Sequence, residues 1–426
     1  MNPLHDIKIC VVGLGYVGLP LACLFSTRYA TVGFDTDASR VASLNQGEDS
    51  NGEVDAERLK SSLAGGSLHF ATSTDDIRHC NVYVITVPTP VDCNNLPDLA
   101  PLIKASNTVG GVLKKGDTVI YESTVYPGVT EEECVPVLAK ASKLRYNDDF
   151  FVGYSPERVN PGDKEHTVET ICKVTSGSTP AAADFVDRLY NSVLKNGTHR
   201  APSIRVAEAS KIVENCQRDV NIAFMNELAK IFAAMGIDTG DVLDAAATKW
   251  NFIRMKPGLV GGHCIGVDPY YLIEKAKVYG VLPRVMSSAR RLNDGMGSYV
   301  ASQLVHYMNL GGVPVKDARI LILGFSFKED CPDTRNTKVA DIYHTLNDYT
   351  DRITVVDPCV DSQKVQREYG IEVCSAIPAG ATFDAAILAV GHSQFAGIDI
   401  RSLVPRPGVV YDVKGFLPRQ SVDARL

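Results

Sequence analysis

The chain has 426 residues, of which 45% are hydrophobic and 22% are charged, so it can form two or three globular domains of about 100–200 residues each. Its net charge of −7 gives no basic field, and we therefore expect neither nucleic acid nor a membrane surface as a partner. Eleven cysteines occur without CxxC pairs, which predicts reduced thiols in the cytoplasm rather than a disulfide framework. The nine histidines form no HxxH or HxxxH pair, so no metal site is expected.

The first predicted elements form a dinucleotide-binding fingerprint. An apolar strand, Ile7 to Val12, runs into Gly13-Leu14-Gly15-Tyr16-Val17-Gly18, followed by an apolar helix and a second strand that ends at Asp35. The glycines admit a pyrophosphate to the helix N-terminus, where unpaired N–H groups favour anions. Asp35 would accept hydrogen bonds from the adenosine ribose and repel a 2′-phosphate, which predicts NAD rather than NADP. Because Pro20 and the glycines interrupt the apolar run, we expect neither a signal peptide nor a membrane span there.

Three further strands, at 82–87, 118–121 and 150–153, lead into polar loops. The loops are Pro88-Thr89-Pro90, the segment 122–128 with Thr124, and the segment 154–162 with Glu157 and Arg158. Ligands of a doubly wound sheet bind outside the carboxyl ends of its strands, so we expect these loops to line a cofactor cleft. The segment 194–202 contains Asn196-Gly197 and Pro202, and we interpret it as a linker.

A long amphipathic pattern from Ala207 to Gly236 predicts a helix of roughly 40 Å, long enough to bridge two domains. Lys211, Asn215 and Arg218 lie at i, i+4 and i+7 and therefore share one face. That face is either a solvated polar stripe or a functional surface. Further helices are predicted at 238–248, 270–279 and 285–309, so the middle of the chain is α-helical, and such an insert is often a dimer interface.

Between two of these helices lies the segment Gly261-Gly262-His263-Cys264-Ile265-Gly266-Val267-Asp268. Two glycines let a backbone approach a ligand closely. A thiol follows them directly, with a carboxylate four residues further on. Because a thiol is a strong nucleophile only as thiolate, the segment is either a tight turn holding a small apolar Cys264 or a catalytic loop.

The last part of the chain has a second α/β pattern, which begins after Gly311-Gly312-Val313-Pro314 and lacks a GxGxxG motif. Strands are predicted at 319–324, 352–357, 385–390 and 409–412. The first strand leads to Lys328 and Arg335, and the last leads to Lys414. These cations stand where a phosphate-bearing ligand would dock at a sheet edge.

Taken together, these segments resemble the UDP-glucose/GDP-mannose dehydrogenase family over the whole chain. The matching stretches are the Gly13 fingerprint, Val87-Pro88-Thr89-Pro90, Ser123-Thr124-Val125, Ser155-Pro156-Glu157-Arg158, Lys211 with Asn215, Gly261 to Asp268, and Gly324 to Arg335. The resemblance implies an α/β fold with two Rossmann-like doubly wound domains joined by an α-helical central domain with a long bridging helix. We expect an NAD-binding domain over 1–200, a helical central domain over 201–312 and a UDP-sugar-binding domain over 313–426.

The resemblance implies an enzyme that uses NAD to oxidise C6 of a UDP-sugar to the carboxylate. From the reduced cysteines and the helical insert we expect it to be cytoplasmic and a homodimer paired through its central helices. Cys264 would carry the sugar as a thiohemiacetal and then as a thioester. Val267 stands where the UDP-glucose branch usually has a lysine, and the segment is similar to the branch that oxidises UDP-N-acetylhexosamines for surface polysaccharides. We expect UDP-GlcNAc as substrate. The galacto and manno epimers and UDP-glucose remain alternatives, because no short motif encodes sugar stereochemistry.

Site residues follow from the same resemblance. Catalytic roles fall to Cys264, Lys211, Asp268 and Asn215, with Thr124 orienting a water and Glu157 assisting thioester hydrolysis. The expected cofactor-binding residues are Gly13, Gly15, Tyr16, Val17, Gly18, Asp35, Arg40, Pro88, Thr89, Thr124 and Arg335. The expected substrate-binding residues are Glu157, Arg158, Val159, Lys211, Asn215, Arg218, Gly261, Phe327, Lys328 and Lys414.

Two other function classes fit parts of the sequence. A two-electron NAD dehydrogenase of the hydroxyacid type would share the Rossmann domain and a catalytic lysine but would give no role to Cys264, so the yield of NADH per sugar separates it. A non-catalytic nucleotide-sugar sensor would use two binding domains as a clamp. The presence of Cys264, Lys211 and Asp268 argues against that sensor.

Overall fold

The computed structural model describes residues 6–92, 95–159 and 167–426. The chain forms two compact units, one comprising the chain up to Glu214 together with Tyr270–Tyr279 and the other comprising Asn215–Pro269 and Gly280–Leu426. Among the described residues, none of the helices combines the length and the apolar character that a membrane span requires.

The first unit is built on an eight-stranded sheet in the order β3-β2-β1-β4-β5-β6-β7-β8. The strands are β1 Lys8–Val12, β2 Ala30–Phe34, β3 Leu68–Ala71, β4 Val82–Ile85, β5 Thr118–Tyr121, β6 Phe151–Tyr154, β7 Lys173–Gly177 and β8 Thr198–Arg200. All neighbouring pairs are parallel except β6 with β7. Strand order reverses between β1 and β4, and ligands of doubly wound sheets bind at such a switch point.

Helices cover both faces of this sheet. They are α1 Gly18–Ser26, α2 Ala38–Asn45, α3 Ala56–Ala64, α4 Ala100–Gly110, α5 Val135–Ser142 and α6 Pro180–Asn191. Cys10 and Val12 belong to one buried cluster, whereas Ile9 and Val11 belong to another. The central strand β1 is therefore apolar on both sides, as parallel strands of doubly wound sheets are.

The interpretation of 194–202 as a linker was wrong, because β8 lies inside it. Thr198, His199 and Arg200 pair with the first three residues of β7. All three are polar and at least partly exposed, so this edge strand is held by backbone hydrogen bonds and has no apolar alternation to reveal it.

The second half of the chain begins with five helices. They are α7 Ile204–Met235, α8 Thr239–Ala246, α9 Asp268–Val278, α10 Arg284–Asp294 and α11 Met296–Leu310. The long predicted helix is confirmed as α7, which contributes to both units. The predicted helix 285–309 is instead two helices that meet at Gly295. Asn293, just before this break, is buried and donates to the Asp219 carboxylate of α7 at 2.7 Å.

The second unit contains a parallel six-stranded sheet in the order β11-β10-β9-β12-β13-β14. The strands are β9 Ile320–Leu323, β10 Ile353–Val356, β11 Val373–Cys374, β12 Ala385–Leu388, β13 Val409–Asp412 and β14 Ala424–Arg425, and the helices are α12 Val339–Asn347, α13 Ser362–Tyr369 and α14 Ile400–Leu403. Ile320 and Ile322 face one buried cluster and Leu321 and Leu323 face another. The chain therefore contains the two predicted Rossmann-like sheets and a helical middle.

Candidate active site

The turn after β1 forms a cradle at the N-terminus of α1. Gly13 has φ +94°, and a Cβ on Gly18 would lie 1.8 Å from the Gly13 carbonyl oxygen. Nothing lies within 4 Å of the corresponding position on Gly15. No side chain caps α1, and its first turn contains no acidic residue. The positive end of the α1 dipole therefore meets no side-chain carboxylate or cap, which fits the pyrophosphate of a dinucleotide.

The carboxylate of Asp35, just after β2, holds this turn in place. Its Oδ2 accepts the Leu14 N–H at 2.8 Å and its Oδ1 accepts the Asp37 N–H at 2.9 Å. The side chain remains partly exposed, so its oxygens can also accept ribose hydroxyls. Arg40 donates to the Leu14 carbonyl at 3.1 and 3.2 Å and forms an ion pair with Asp49 at 2.6 Å.

The loops after β4 and β5 are joined by hydrogen bonds. Thr89 Oγ1 donates to the Thr124 carbonyl at 2.6 Å, and Ser123 Oγ donates to the Val87 carbonyl at 2.6 Å. The Tyr154 hydroxyl of β6 donates to the Ser123 carbonyl at 3.1 Å. Thr124 stays partly exposed, so its side chain is presented at the carboxyl edge of the sheet.

A buried carboxylate on α7 fixes the far end of the Thr124 loop. Glu208 accepts the Gly128 N–H at 2.6 Å and the Thr130 N–H at 2.9 Å. Burial raises the pKa of this carboxyl to about 7, despite these two bonds. Lys211 lies one turn further along α7 and is 7% exposed. The same segment of α7 therefore carries both Glu208, which binds the Thr124 loop, and the predicted catalytic lysine.

The Glu157 carboxylate follows β6 and is buried. Its Oε1 accepts the N–H groups of Arg158 at 2.7 Å and Val159 at 2.5 Å. The Arg158 guanidinium forms an ion pair with Glu214 at 2.8 Å and donates to the Cys172 carbonyl at 3.0 Å. The rest of the predicted motif, residues 160–162, lies outside the described residues.

The three polar residues predicted to share one face of α7 have different environments. Lys211 and Asn215 are 7% and 6% exposed, whereas Arg218 is exposed. A solvated stripe would leave all three in water, so this alternative does not describe Lys211 and Asn215. The exposure of Arg218 gives no support to its predicted contact with substrate.

In the second unit, the glycines before Cys264 pack against the loop that follows β9. Gly262 has φ +78°, donates its N–H to the Arg335 carbonyl at 2.9 Å and accepts from the Asn336 amide at 3.0 Å. A Cβ on Gly261 would lie 2.8 Å from the Cβ of Phe327. The predicted thiol loop and the predicted nucleotide loop are therefore held together.

Asp268 begins α9 and links Cys264 to α7. Its N–H donates to the Cys264 carbonyl at 2.8 Å, which closes the turn around the thiol. Its Oδ2 accepts from the Asn215 amide at 2.5 Å, in a buried environment. Cys264 itself is partly exposed, as a nucleophile must be.

Two predicted cations of the second unit, Arg335 and Lys414, have acidic partners. Arg335 is exposed and donates to Asp333 at 2.9 and 3.0 Å. Lys414, just after β13, forms an ion pair with Glu329 at 2.5 Å, and this pairing lowers the pKa of the Glu329 carboxyl although burial opposes the shift. Lys328 and Phe327 are partly buried in the same loop as Glu329.

The sequence did not single out three buried residues that adjoin the predicted site of the first unit. Lys173 and Glu122 form an ion pair at 2.7 Å with no exposed side-chain surface. The Tyr271 hydroxyl of α9 donates to the Thr89 and Pro90 carbonyls. Glu122 directly follows β5 and Lys173 begins β7; charged residues at strand ends are usually solvated, so no local pattern indicated this ion pair.

Asp330, Cys359 and His392 form the one group in the described part of the chain whose ligand atoms approach within 4.8 Å and could hold a metal. The imidazole already has two hydrogen bonds: Nδ1 accepts the Asp330 N–H at 3.0 Å, and Nε2 lies 2.9 Å from the Asp357 carboxylate. These bonds give the cluster a structural role at the strand ends, and we assign it no ligand.

Family models match the chain in three consecutive segments. Residues 7–194 match the NAD binding domain of the UDP-glucose/GDP-mannose dehydrogenase family, residues 205–295 match its central domain, and residues 321–419 match its UDP binding domain. Together they cover most of the chain.

Individual relatives are similar over their full lengths. The chain is 55% identical to a UDP-N-acetyl-D-glucosamine 6-dehydrogenase of Pseudomonas aeruginosa, over 99% of this chain and 100% of that one. It is 50% identical to the enzyme of the same name from Salmonella typhi, over 100% of both chains. A solved UDP-D-ManNAc dehydrogenase of Pyrococcus horikoshii superimposes with a TM-score of 0.89 at 30% identity, covering 98% of each chain.

The geometry at Asp35 predicts a preference for NADH over NADPH in fluorescence titrations. The variant Asp35→Asn keeps a carbonyl oxygen but removes the charge that repels a 2′-phosphate. We expect the ratio of the NADPH and NADH dissociation constants to fall by about tenfold in this variant, which is equivalent to about 1.4 kcal/mol. Asp37→Asn is the matched control, because Asp37 is exposed and caps α2, and asparagine is an equally good cap. Equal affinities of the unmodified protein for the two cofactors would contradict the role of Asp35.

Proposed function

Because this chain belongs to the UDP-glucose/GDP-mannose dehydrogenase family, we propose that it oxidises the C6 hydroxyl of UDP-GlcNAc to the carboxylate while two NAD⁺ are reduced. The observation that carries this proposal is the Cys264 loop, which presents a partly exposed thiol. The Asp268 N–H closes the backbone turn around this thiol, and the Asp268 carboxylate accepts a hydrogen bond from Asn215. A thiol that can hold an aldehyde is what distinguishes a four-electron oxidation from a two-electron one.

NAD fits the first unit. The turn Gly13–Gly18 leads to the uncapped N-terminus of α1 and leaves open space beside Gly15, and Asp35 offers acceptors to a ribose. When bound, NAD⁺ supplies a hydride acceptor for each of the two oxidations. The loops with Thr89 and Thr124 then lie at the carboxyl edge of the same sheet, where a nicotinamide end would be received.

On this proposal, the Cys264 thiolate adds to the C6 aldehyde left by the first oxidation. The resulting thiohemiacetal carries a C–S bond and an oxyanion, and the loss of a second hydride makes it a thioester. The Lys211 ammonium would stabilise the developing oxyanion, an effect of several kcal/mol in a water-poor site. Asp268 would take up the proton that the Cys264 thiol releases when it becomes a thiolate, and the bond to Asn215 would hold the Asp268 carboxylate in place.

Water must finally cleave the thioester. We assign Thr124 to orient this water and Glu157 to take its proton as the oxygen attacks the carbonyl carbon. The C–S bond then breaks, and the 6-carboxylate and a free thiolate are produced. Glu157 suits this role because its Oε1 is already fixed by two N–H groups.

Val267 and two relatives of high identity support an N-acetylhexosamine as the sugar. Val267 is apolar and 7% exposed, where the UDP-glucose branch usually has a lysine. The relatives at 55% and 50% identity are both named UDP-N-acetyl-D-glucosamine 6-dehydrogenases. In the second unit, Phe327, Lys328 and Lys414 would hold the UDP moiety, and the family model that matches this region is a UDP binding domain.

We further propose that the enzyme is a cytoplasmic homodimer that supplies a uronic acid precursor for surface polysaccharides. Five apolar residues of α7 are 46–62% exposed; they are Val206, Val213, Phe224, Ile231 and Met235. Their spacings of 7, 11, 7 and 4 residues place them on one stripe of the helix. A second copy can cover this stripe by two-fold symmetry, because the same surface then faces itself.

The test of the function is NADH formation across a panel of UDP-sugars. We expect the highest kcat/KM with UDP-GlcNAc, lower values with UDP-GalNAc and UDP-ManNAc, and two NADH per sugar consumed. One NADH per sugar would favour the hydroxyacid type of dehydrogenase. A higher kcat/KM for UDP-glucose than for every UDP-N-acetylhexosamine would contradict the assignment based on Val267.

The role of Cys264 predicts a trapped adduct. Cys264→Ala should lower turnover about 1,000-fold or more while UDP-sugar and NAD binding persist. Cys264→Ser can still add to the aldehyde, but an ester hydrolyses less readily than a thioester. Covalent sugar should therefore accumulate on the peptide spanning Gly261 to Asp268 and be visible by mass spectrometry. Cys374→Ser, at an exposed thiol of the same unit, is the control. Full two-NADH turnover by Cys264→Ala would exclude the covalent mechanism.

The dimer proposal predicts that a charge on the apolar stripe dissociates the protein. Phe224→Glu should convert the dimer to monomer in sedimentation velocity at micromolar concentration. Leu310→Glu, which places the same charge at a 71% exposed leucine of α11, should leave the dimer intact. A monomeric unmodified protein, or a dimeric Phe224→Glu variant, would contradict the proposal.

A further inference from the structure

A lysine buried in the first unit lies between two carboxylates of neighbouring loops. Lys173 Nζ is 2.7 Å from Glu122 Oε2, 3.7 Å from Glu157 Oε2 and 3.3 Å from the Pro156 carbonyl oxygen. Lys173 opens β7, Glu122 follows β5 and Glu157 follows β6. One ammonium therefore joins the loop that carries Thr124 to the loop that carries Glu157.

The three side chains differ in their access to solvent. The side chains of Lys173 and Glu122 have no exposed surface, whereas that of Glu157 is 8% exposed. Glu122 is also bonded by the Tyr190 hydroxyl of α6 through its second oxygen. Glu157 is thus the one member of the triad that a water at the sheet edge can reach, while Glu122 is enclosed.

Within the described ranges, few charged groups lie around the triad. Besides its three members, the neighbouring titratable group is Tyr190, whose ring lies 5.5 Å from the lysine Nζ. Burial raises the pKa of this phenol far above its usual range, so it stays neutral. His199 and Arg200 of the adjoining strand are exposed, and Arg158 is paired with Glu214. Lys173 is consequently the cation that compensates the buried carboxylates.

We propose that Lys173 is a positioning residue that keeps Glu157 ionised and oriented for hydrolysis of the thioester on Cys264. This inference rests on the proposed function. The ammonium acts on Oε2 at 3.7 Å, which is too long for a direct hydrogen bond, so that oxygen keeps its lone pairs for a water. Oε1 is meanwhile occupied by the N–H groups of Arg158 and Val159.

The protonation state of Glu157 decides whether the last step can proceed. As a carboxylate it can accept the proton of the water that attacks the thioester carbonyl, and the C–S bond then breaks with the thiolate as leaving group. As a carboxylic acid it cannot. Burial raises the pKa of the neighbouring Glu122 carboxyl even beside Lys173, so this environment opposes a negative charge.

The test compares two variants that differ only at Lys173. Glu122→Gln removes one buried charge and leaves the Lys173–Glu157 pair, whereas Lys173→Met with Glu122→Gln removes the cation as well and leaves no unbalanced buried ammonium. The second variant should show a rapid burst of two NADH per site followed by slow release, with thioester accumulating on Cys264. In the pH profile of the steady-state rate, the acidic limb of the double variant should lie about one pH unit or more above the acidic limb of Glu122→Gln.

The direction of this shift follows from the charge. Without Lys173 the buried Glu157 carboxylate loses its neighbouring cation, so a higher pH is needed for the base to act. Below the limb, the rate then falls about tenfold for each pH unit. Lys195→Met, which removes an exposed lysine paired with Glu169, should change neither the burst nor the limb. The proposal would be overturned if the folded double variant had the same pH profile and the same NADH burst as Glu122→Gln.

A measurement without substrate separates this inference from the proposed function. Infrared difference spectra near neutral pH should show a protonated carboxylic acid in the double variant that is absent from Glu122→Gln. The band should disappear when Glu157→Gln is added. If the unmodified protein oxidises no UDP-sugar but the band is found, the proposed function fails while the charge role of Lys173 stands. If turnover is confirmed but the double variant shows neither the infrared band nor the shift in its pH profile, the proposed role of Lys173 is wrong while the proposed function stands.

Discussion

A carboxylate at the end of the second strand holds the turn after the first strand in both sheets, and the positions of the predicted ligand loops depend on it. Asp35 accepts the Leu14 N–H at 2.8 Å, and Asp357 accepts the N–H groups of Phe325 and Ser326 at 2.7 and 2.9 Å. The glycine that begins each turn has φ near +90°. Each turn therefore needs a residue without Cβ and an acceptor on the adjacent strand.

The two carboxylates differ in exposure, although each holds its turn in the same way. Asp35 is partly open to solvent, whereas Asp357 is buried and lies 2.9 Å from Nε2 of His392. An enclosed carboxylate has no surface left for a ribose. On the proposed function, the second sheet would recognise its nucleotide through the side chains of its loops, with Lys328 and Lys414 as the proposed contacts, rather than through a glycine cradle. This accounts for a Rossmann-like sheet without a GxGxxG motif.

Sequence patterns predicted the features that local chemistry determines. Continuous apolar runs gave β5 and β13 their correct bounds, and the glycine fingerprint identified the cofactor turn. The strand β8 was missed, because it is polar and depends on its neighbour. The bond between Asn215 and Asp268 joins residues 53 positions apart, and the burial of Lys173 depends on packing; no local pattern contains either fact. The roles given to the site residues come from the family resemblance, and the experiments described above test them.

The thiol loop and the nucleotide loop belong to the same compact unit, since Gly262 is hydrogen-bonded to Arg335 and Asn336. The cofactor turn belongs to the other unit. In the proposed reaction, the half-oxidised sugar is tethered to Cys264 while its UDP end is held by the same unit. A spent cofactor can then be exchanged for a fresh one without releasing the aldehyde, so both oxidations occur on one sugar before the enzyme lets it go.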